Sequence, residues 1–380
     1  MINIHIYPST FEYESRILKV TEALVTRGVV ERVLIIAIAR DGLQERQVID
    51  EAREVLRIRS RINGSRLILK IARFVEWSIN VFLKLSNQDV TMVNCHSLSV
   101  LPLCVILKWW HQCILVYEPH ELETETIGSK GLRKMLAKVV ERIFIRFADQ
   151  TFVVSESIAD EYARIHNMIA PPVVLNCPKY MPPIQSNLLR EHLCIPDDAV
   201  IFLYQGSLAS GRGVSVILEA FKKIADPRKV IVFMGSGPLE EEIKEVSHKC
   251  ANIYHHPSVP SDAVLQYTAS ADIGMHLIQN TCLNHYYCMP NKLFEYSMAG
   301  LPVIVSNMLE MSRFVRKNRT GVVARDESPD TIVEAIDELM QMKLPSLKSN
   351  AFDAAKQYCW EEQEKVMISN YLKLFSREQA

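Results

Sequence analysis

The most restrictive feature of this 380-residue chain is a hydrophobic period that switches between strand and helix along almost its whole length. Ile2–Tyr7 alternates as a strand, and Ser15–Thr26 carries a helical period closed by Gly28. Val33–Ala39 is a continuous apolar run, the pattern of a parallel strand buried on both faces. Val90–Asn94, a helical stretch from Leu98 to Trp110, Ile114–Tyr117 and Gln150–Val154 extend the series. Such alternation argues for an α/β fold with open parallel sheets covered on both faces by helices. It breaks once, around Cys177–Pro196, where Pro178, Pro182, Pro183 and Pro196 sit among polar residues and read as an inter-domain linker. Strand, helix and strand then resume at Val200–Tyr204, Val214–Ile224 and Val230–Met234. Leu239–Val246, Asn252–His255, Ile273–His276 and Pro302–Val305 follow. The expected organisation is two doubly wound, Rossmann-like domains, at 1–180 and 181–360, with a closing segment at 361–380.

Composition narrows the partners. Apolar residues make up 48% and charged residues 23%, and the net charge of −1 excludes a generic nucleic-acid binder. The opening segment lacks the basic and long apolar regions of a signal peptide, and the apolar stretch from Leu98 to Leu107 is half of what a membrane span needs. Nine cysteines without a Cys-x-x-Cys spacing make a disulfide framework or a zinc site a poor fit. A cytoplasmic protein with no metal site is the expectation.

Eight of the 13 glycines follow the proline-rich break, and several fall just beyond strands, where doubly wound sheets bind ligands. Three segments there carry chemistry. In Tyr204-Gln205-Gly206-Ser207-Leu208-Ala209-Ser210-Gly211-Arg212-Gly213 a strand enters a small flexible loop and a helix begins directly after it. Helix amino-ends and a forked guanidinium both suit phosphate, although an ordinary turn with a surface arginine fits the same residues. Gly235-Ser236-Gly237-Pro238 permits close backbone approach after the next strand, which tight turns also do. The most specific stretch is Pro290-Asn291-Lys292-Leu293-Phe294-Glu295-Tyr296-Ser297-Met298-Ala299-Gly300-Leu301-Pro302-Val303-Ile304. Pro290 opens a helix, Gly300 ends it, and Lys292 and Glu295 share a face near its start. A carboxylate there is placed to accept ribose hydroxyls; a surface Lys–Glu pair is the plainer reading.

That last stretch resembles the donor-site helix of GT-B glycosyltransferases, in particular the retaining glycosyltransferase family four (group 1). Other segments resemble the family in the same order. They are Asp89 through His96, Val116-Tyr117-Glu118-Pro119-His120-Glu121, the loop Gly206–Gly213, the Gly235–Pro238 turn, Val259-Pro260 with Tyr267 and Ala271-Asp272, and Trp360-Glu361-Glu362. The resemblance implies two domains facing a central cleft, with a last helix crossing back to the first. It implies that Arg212 grips the diphosphate and Glu295 holds the ribose of a nucleotide sugar. Asn291, Lys292 and Leu293 would meet sugar and phosphates, with Val259 beside the base and Gly206, Ser207, Gly213, Gly235 and Gly237 forming the loops. His120 would face donor sugar and acceptor, with Glu121 and His96 on the acceptor side. Two positions depart from the family pattern: Tyr287 stands where a first glutamate is usual, and Ser207 where an arginine is usual. The Tyr-Tyr-x-x-Pro-Asn-Lys form resembles a branch frequent in surface-polysaccharide clusters.

The implied activity is transfer of a hexose or N-acetylhexosamine from a UDP- or GDP-sugar to a glycan, often lipid-linked, with retention of configuration. No Asp-x-Asp occurs, so Arg212, Lys292 and a helix dipole are expected to stabilise the leaving diphosphate without a metal cofactor. Two basic amphipathic stretches read as helices, 57–84 and 130–146, suit docking on anionic lipid or a solvated basic face. A sugar-nucleotide epimerase of the same architecture and a catalytically degenerate paralogue remain open alternatives at this stage.

Overall fold

The structure, a computed structural model, describes residues 2–12 and 14–378. Positions 379 and 380 of the expected closing segment lie outside the described residues. The chain forms two compact units: Met1–Val174 with Glu364–Ala380, and Leu175–Gln363.

Seven strands build the sheet of the first unit: β1 (Ile2–Ile6), β2 (Arg32–Ile38), β3 (Arg46–Val48), β4 (Arg53–Ile58), β5 (Val90–Cys95), β6 (Ile114–Tyr117) and β7 (Gln150–Thr151). Their order is β3-β4-β2-β1-β5-β6-β7, parallel except for the antiparallel pair β3–β4. The central strands read as unbroken apolar runs because helices cover both faces; Ile4, Ile6, Ile35 and Ile36 are fully buried. The last helix, Trp360–Glu378, returns to this unit. Its Tyr371 hydroxyl donates to Glu118 at 2.9 Å, also receives the Asn94 amide, and its ring stacks on Phe152 with centroids 5.3 Å apart.

The second unit holds six parallel strands: β8 (Val200–Gln205), β9 (Lys229–Met234), β10 (Ile253–His256), β11 (Ile273–His276), β12 (Val303–Ser306) and β13 (Gly321–Ala324). Their order is β10-β9-β8-β11-β12-β13. The helix Asn291–Met298 is locked onto this sheet by Tyr296. The Tyr296 ring lies so close over Gly274 of β11 that a Cβ there would sit 2.5 Å from Cγ of the ring. Its hydroxyl lies 3.0 and 3.2 Å from the Leu203 and Met275 carbonyls and accepts the Gln205 N–H at 3.3 Å. Tyr296 thus joins β8, β11 and the helix that carries Lys292 and Glu295.

Two expectations change here. The proline-rich segment around Cys177–Pro196 packs into the second unit, with Cys177 and Leu189 fully buried and Arg190 paired to Asp272 at 3.1 Å. Its apolar residues have partners, so it is not an exposed linker; the units divide at Val174/Leu175 instead. The basic stretch 57–84 is also not one helix. Arg57 is buried in β4 and donates to the carbonyls of Thr10, Phe11 and Gln44, and the helix runs only over Leu67–Leu85.

Replacing Gly274 by alanine forces a methyl group against the Tyr296 ring between two central strands. Overpacking of this kind costs ~1–3 kcal/mol, so the thermal transition of the second unit should fall by several degrees. An unchanged transition in calorimetry would contradict the close packing of ring on strand.

Candidate active site

In the second sheet the strand order reverses between β8 and β11, which opens a crevice beyond the carboxyl ends of those strands. The loop after β8 lies there. Gly206 has φ of 124°, and a Cβ on it would lie 2.4 Å from Cε and 3.0 Å from Nζ of Lys292. Only glycine lets that lysine lie across the loop. Gly235 is in backbone contact with Gly206, and the two turns are stitched by Gly206 N–H to the Met234 carbonyl and Leu208 N–H to the Ser236 carbonyl, both 2.9 Å. Gly237 lies against the Leu208 carbonyl in the same layer. The Gly211 carbonyl accepts the Gln279 N–H at 3.0 Å, tying the loop to the segment after β11. Gly213 caps the helix Val214–Lys223, whose first N–H groups lack intrahelical acceptors. Arg212 is exposed at the start of that helix, and so is Ser207, whose carbonyl accepts the Tyr204 hydroxyl at 2.8 Å.

Beneath these two cations lies His276, the last residue of β11, which is 2% exposed and leaves both ring nitrogens without a hydrogen-bond partner. Its basicity is pushed well below the usual range, first by burial and then by the charges of Lys292, Arg212 and His285. A neutral ring under two positive charges leaves the pair free for an anion. Glu295 is oriented from the sheet: Gln205 Nε2 donates to its Oε2 at 2.5 Å, while the Thr268 hydroxyl lies 2.7 Å from Gln205 Oε1 and thereby fixes the amide. Asn291 and Val259 are half-buried at the margin of the same unit.

The first unit gathers a different chemistry at its own point of reversal, between β1 and β5. His5 ends against His96, Nδ1 to Nε2 at 2.8 Å, and His96 meets His120, Nδ1 to Nε2 at 3.1 Å. Tyr7 lies over the His120 ring with centroids 5.3 Å apart. His120 is half-buried, and its basicity is lowered by burial and by His96 and Arg16, against the opposing influence of Glu118. Glu121 is exposed nearby and helps raise the Tyr7 hydroxyl, after burial, Glu14 and Glu123.

The structure therefore gathers Gly206, Gly213, Gly235, Gly237, Arg212, Lys292 and Glu295 in one unit and His96, His120 and Glu121 in the other. Two residues are corrected. The Leu293 side chain is fully buried in the core and its N–H is taken by the Pro290 carbonyl, so it holds the helix rather than a ligand. His96 is 1% exposed with both nitrogens occupied, so it touches no acceptor and instead supports His120. Sequence reasoning missed His276, Gln205 and His5. Each is a polar residue at or near the carboxyl end of an apolar strand, a signal visible in hindsight at the two central strands of each sheet.

Comparison with known proteins follows the same division. The family described as Glycosyltransferase Family 4 matches residues 14–177, and the family described as Glycosyl transferases group 1 matches residues 185–357. A D-inositol 3-phosphate glycosyltransferase of Xylanimonas cellulosilytica is 21% identical over 230 residues, 57% of this chain and 53% of that protein. The chain thus spans about half the length of that relative. Among solved structures, sucrose-phosphate synthase from Thermosynechococcus elongatus matches with a TM-score of 0.80 at 13% identity, over 99% of this chain and 100% of that one. Anabaena HepE in complex with UDP-glucose matches at 0.73 and 14%, over 98% and 99%. With a matching family for each half and a shared backbone throughout, the chain belongs to the group 1 glycosyltransferases and is a transferase of the GT-B fold.

Proposed function

We propose that the chain is a retaining, metal-independent glycosyltransferase that moves a hexose or N-acetylhexosamine from a UDP- or GDP-sugar to a lipid-linked glycan in surface-polysaccharide assembly at the cytoplasmic face of a membrane. The observation that carries this is Lys292 lying across the Gly206 loop with Arg212 close by, both cations in no ion pair among the described residues. When the bond between the anomeric carbon and the diphosphate breaks, negative charge grows on the phosphate oxygens. Fixed cations and a helix amino-end stabilise that charge without reorganising. Glu295, held by Gln205, accepts the ribose hydroxyls, and UDP is favoured as carrier by the UDP-glucose complex of HepE. In the first unit His120 serves the acceptor by taking the proton of its attacking hydroxyl. Tyr287 replaces a family glutamate in the helix Leu283–Tyr287 and sets the choice of sugar.

Two surfaces support the lipid-linked acceptor. The helix Leu67–Leu85 exposes Leu67, Ile68, Ile71, Val75 and Leu83, and the helix Gly131–Phe144 exposes Leu132, Met135 and Leu136. No helix among the described residues is long and apolar enough to cross a membrane, so such faces suit lying in an interface. A cavity of about 420 Å³ beside the helix Leu67–Leu85 is lined by Lys70 and Arg73 and by Arg40 and Arg59, which pair with Glu12 and Asp41, and its net positive lining suits an anionic head group.

Glu295→Ala should weaken UDP by ~1.5–3 kcal/mol, the scale of hydrogen bonds to a charged group; unchanged affinity in titration calorimetry removes Glu295 from the site. Transfer should survive EDTA, and loss of activity restored by magnesium or manganese would contradict the metal-free reading. The protein should sediment with phosphatidylglycerol vesicles and not with phosphatidylcholine, and the double change Lys70→Glu with Arg73→Glu should abolish this. Equal sedimentation of both forms would remove the charged face from the argument.

A further inference from the structure

Three helices of the first unit turn apolar side chains outward on one face of its sheet. The connections from β4 to β5, β5 to β6 and β6 to β7 all advance in the same direction along the strand order. Right-handed crossovers therefore lay the helices Leu67–Leu85, Leu101–His111 and Gly131–Phe144 on the same face, where the middle one packs against both others. The outer two expose the residues named above together with Ile79, Val139 and Ile143, and the middle one exposes Ile106, Trp109 and Trp110. Among the described residues the second unit exposes only two large apolar side chains, Tyr180 and Met342. An apolar layer concentrated on one side of one unit marks an interaction surface, because scattered exposed residues would not favour three adjacent helices.

The two tryptophans tie this layer together at one end. Trp110 donates its indole N–H to the Ser86 carbonyl at 3.1 Å, just past the first helix, and its ring meets Phe82 edge-on with centroids 5.4 Å apart. Trp109 packs against Phe147, shortly after the third helix, at 5.1 Å. Held in this way, Trp109 and Trp110 still stand 57% and 60% exposed. Their surroundings are basic. The two carboxylates on the three helices are both engaged: Glu76 accepts the N–H groups of Arg61 and Ile62, and the buried Glu141 accepts the Tyr117 and Tyr162 hydroxyls. Lys70, Arg73, Lys84, Arg133 and Arg142 on the outer helices make no ion pair among the described residues. A second copy of this face would set cations against cations, whereas an anionic leaflet meets both the apolar layer and its basic margin.

We propose that the three helices form one membrane-embedded face, in which Trp109 and Trp110 enter the boundary between head groups and acyl chains of an anionic leaflet. The proposal rests on the docking of the helices Leu67–Leu85 and Gly131–Phe144 given above, and adds to it the middle helix and a depth. Charge and apolar area act in sequence here. The unpaired lysines and arginines draw the protein to the charged surface, an attraction that salt screens. Burial of the exposed leucines, isoleucines and tryptophans then holds it there. Indole suits that boundary because a large apolar ring carries a single polar N–H.

The sequence supplies its own probe. Of the four tryptophans, Trp77 and Trp360 are 1% and 2% exposed, so emission that responds to lipid reports on Trp109 and Trp110. On phosphatidylglycerol vesicles the emission of the full chain should shift to the blue, and bromine on the acyl chains near the head group should quench it. Trp109→Ala with Trp110→Ala should remove that quenching and weaken sedimentation with the vesicles at least ~10-fold. Trp109→Ala alone keeps the Trp110 bond to Ser86; it carries the comparison if the double variant does not fold, and should lose part of the quenching. Sedimentation with unchanged emission on brominated vesicles overturns the insertion and leaves the charged docking standing. Absence of sedimentation with phosphatidylglycerol vesicles overturns both. A blue shift that grows with protein concentration in the absence of lipid, matched by a dimer in sedimentation velocity, gives the face to a second copy and overturns the insertion.

Discussion

Everything chemical in this protein is placed by one topological constraint, the reversal of strand order inside a parallel sheet. Right-handed crossovers carry the chain outward on one face before the reversal and on the other face after it. The two strands at the reversal therefore send their following loops in opposite directions and leave a gap between them. In the second unit those strands are β8 and β11, and the gap is bordered by the Gly206 loop and by His276. In the first unit they are β1 and β5, and the same place holds His5 and His96. The hydrophobic runs that make the sheets parallel thus also decide where polar side chains can stand without disrupting a core.

At the Gly206 loop, backbone geometry and electrostatics depend on each other. The stacked turns at Gly206 and Gly235 leave no room for a Cβ, and that same absence lets Lys292 lie flat over the loop. A lysine and an arginine brought this near would raise the cost of any third charge. His276 below them responds by staying neutral. Glu295, on the same helix as Lys292, is turned toward Gln205 and does not neutralise the lysine. Tyr296, packed on Gly274, fixes the helix from which both project.

Much of this was legible in the sequence. Long apolar runs and their alternation with helical periods predict β1, β2, β5, β6 and β8 to β12 within a residue or two, because burial on both faces leaves so strong a pattern. The pair β3–β4 escaped because it is short, charged and antiparallel, with Arg46 and Glu54 pairing on its exposed face. Arg57 escaped for a related reason: in sequence it reads as the head of a basic helix, yet three carbonyls solvate it inside the fold. Prolines around Cys177–Pro196 signalled irregular backbone over its first part, but the segment also holds the short helix Leu188–Leu193 and buries Leu189 and Ile195. Among site residues, the loop glycines and the Lys292–Glu295 pair carry a local spacing. His276 and the partnership of His5 with His96 do not, since they depend on which strands become neighbours.

The two units also build different electrostatics. In the second, Arg212 and Lys292 stand near one another at a helix amino-end, in no ion pair among the described residues. In the first, three imidazoles lie in a row within hydrogen-bond reach of one another. Burial keeps that row neutral by disfavouring the imidazolium form at every position. Cations beside those imidazoles would push them further in the same direction. His276, which sits under Arg212 and Lys292 with both nitrogens unpartnered, shows what becomes of an imidazole in such company. Cations at one sheet and neutral imidazoles at the other thus each answer to the surroundings of their own sheet.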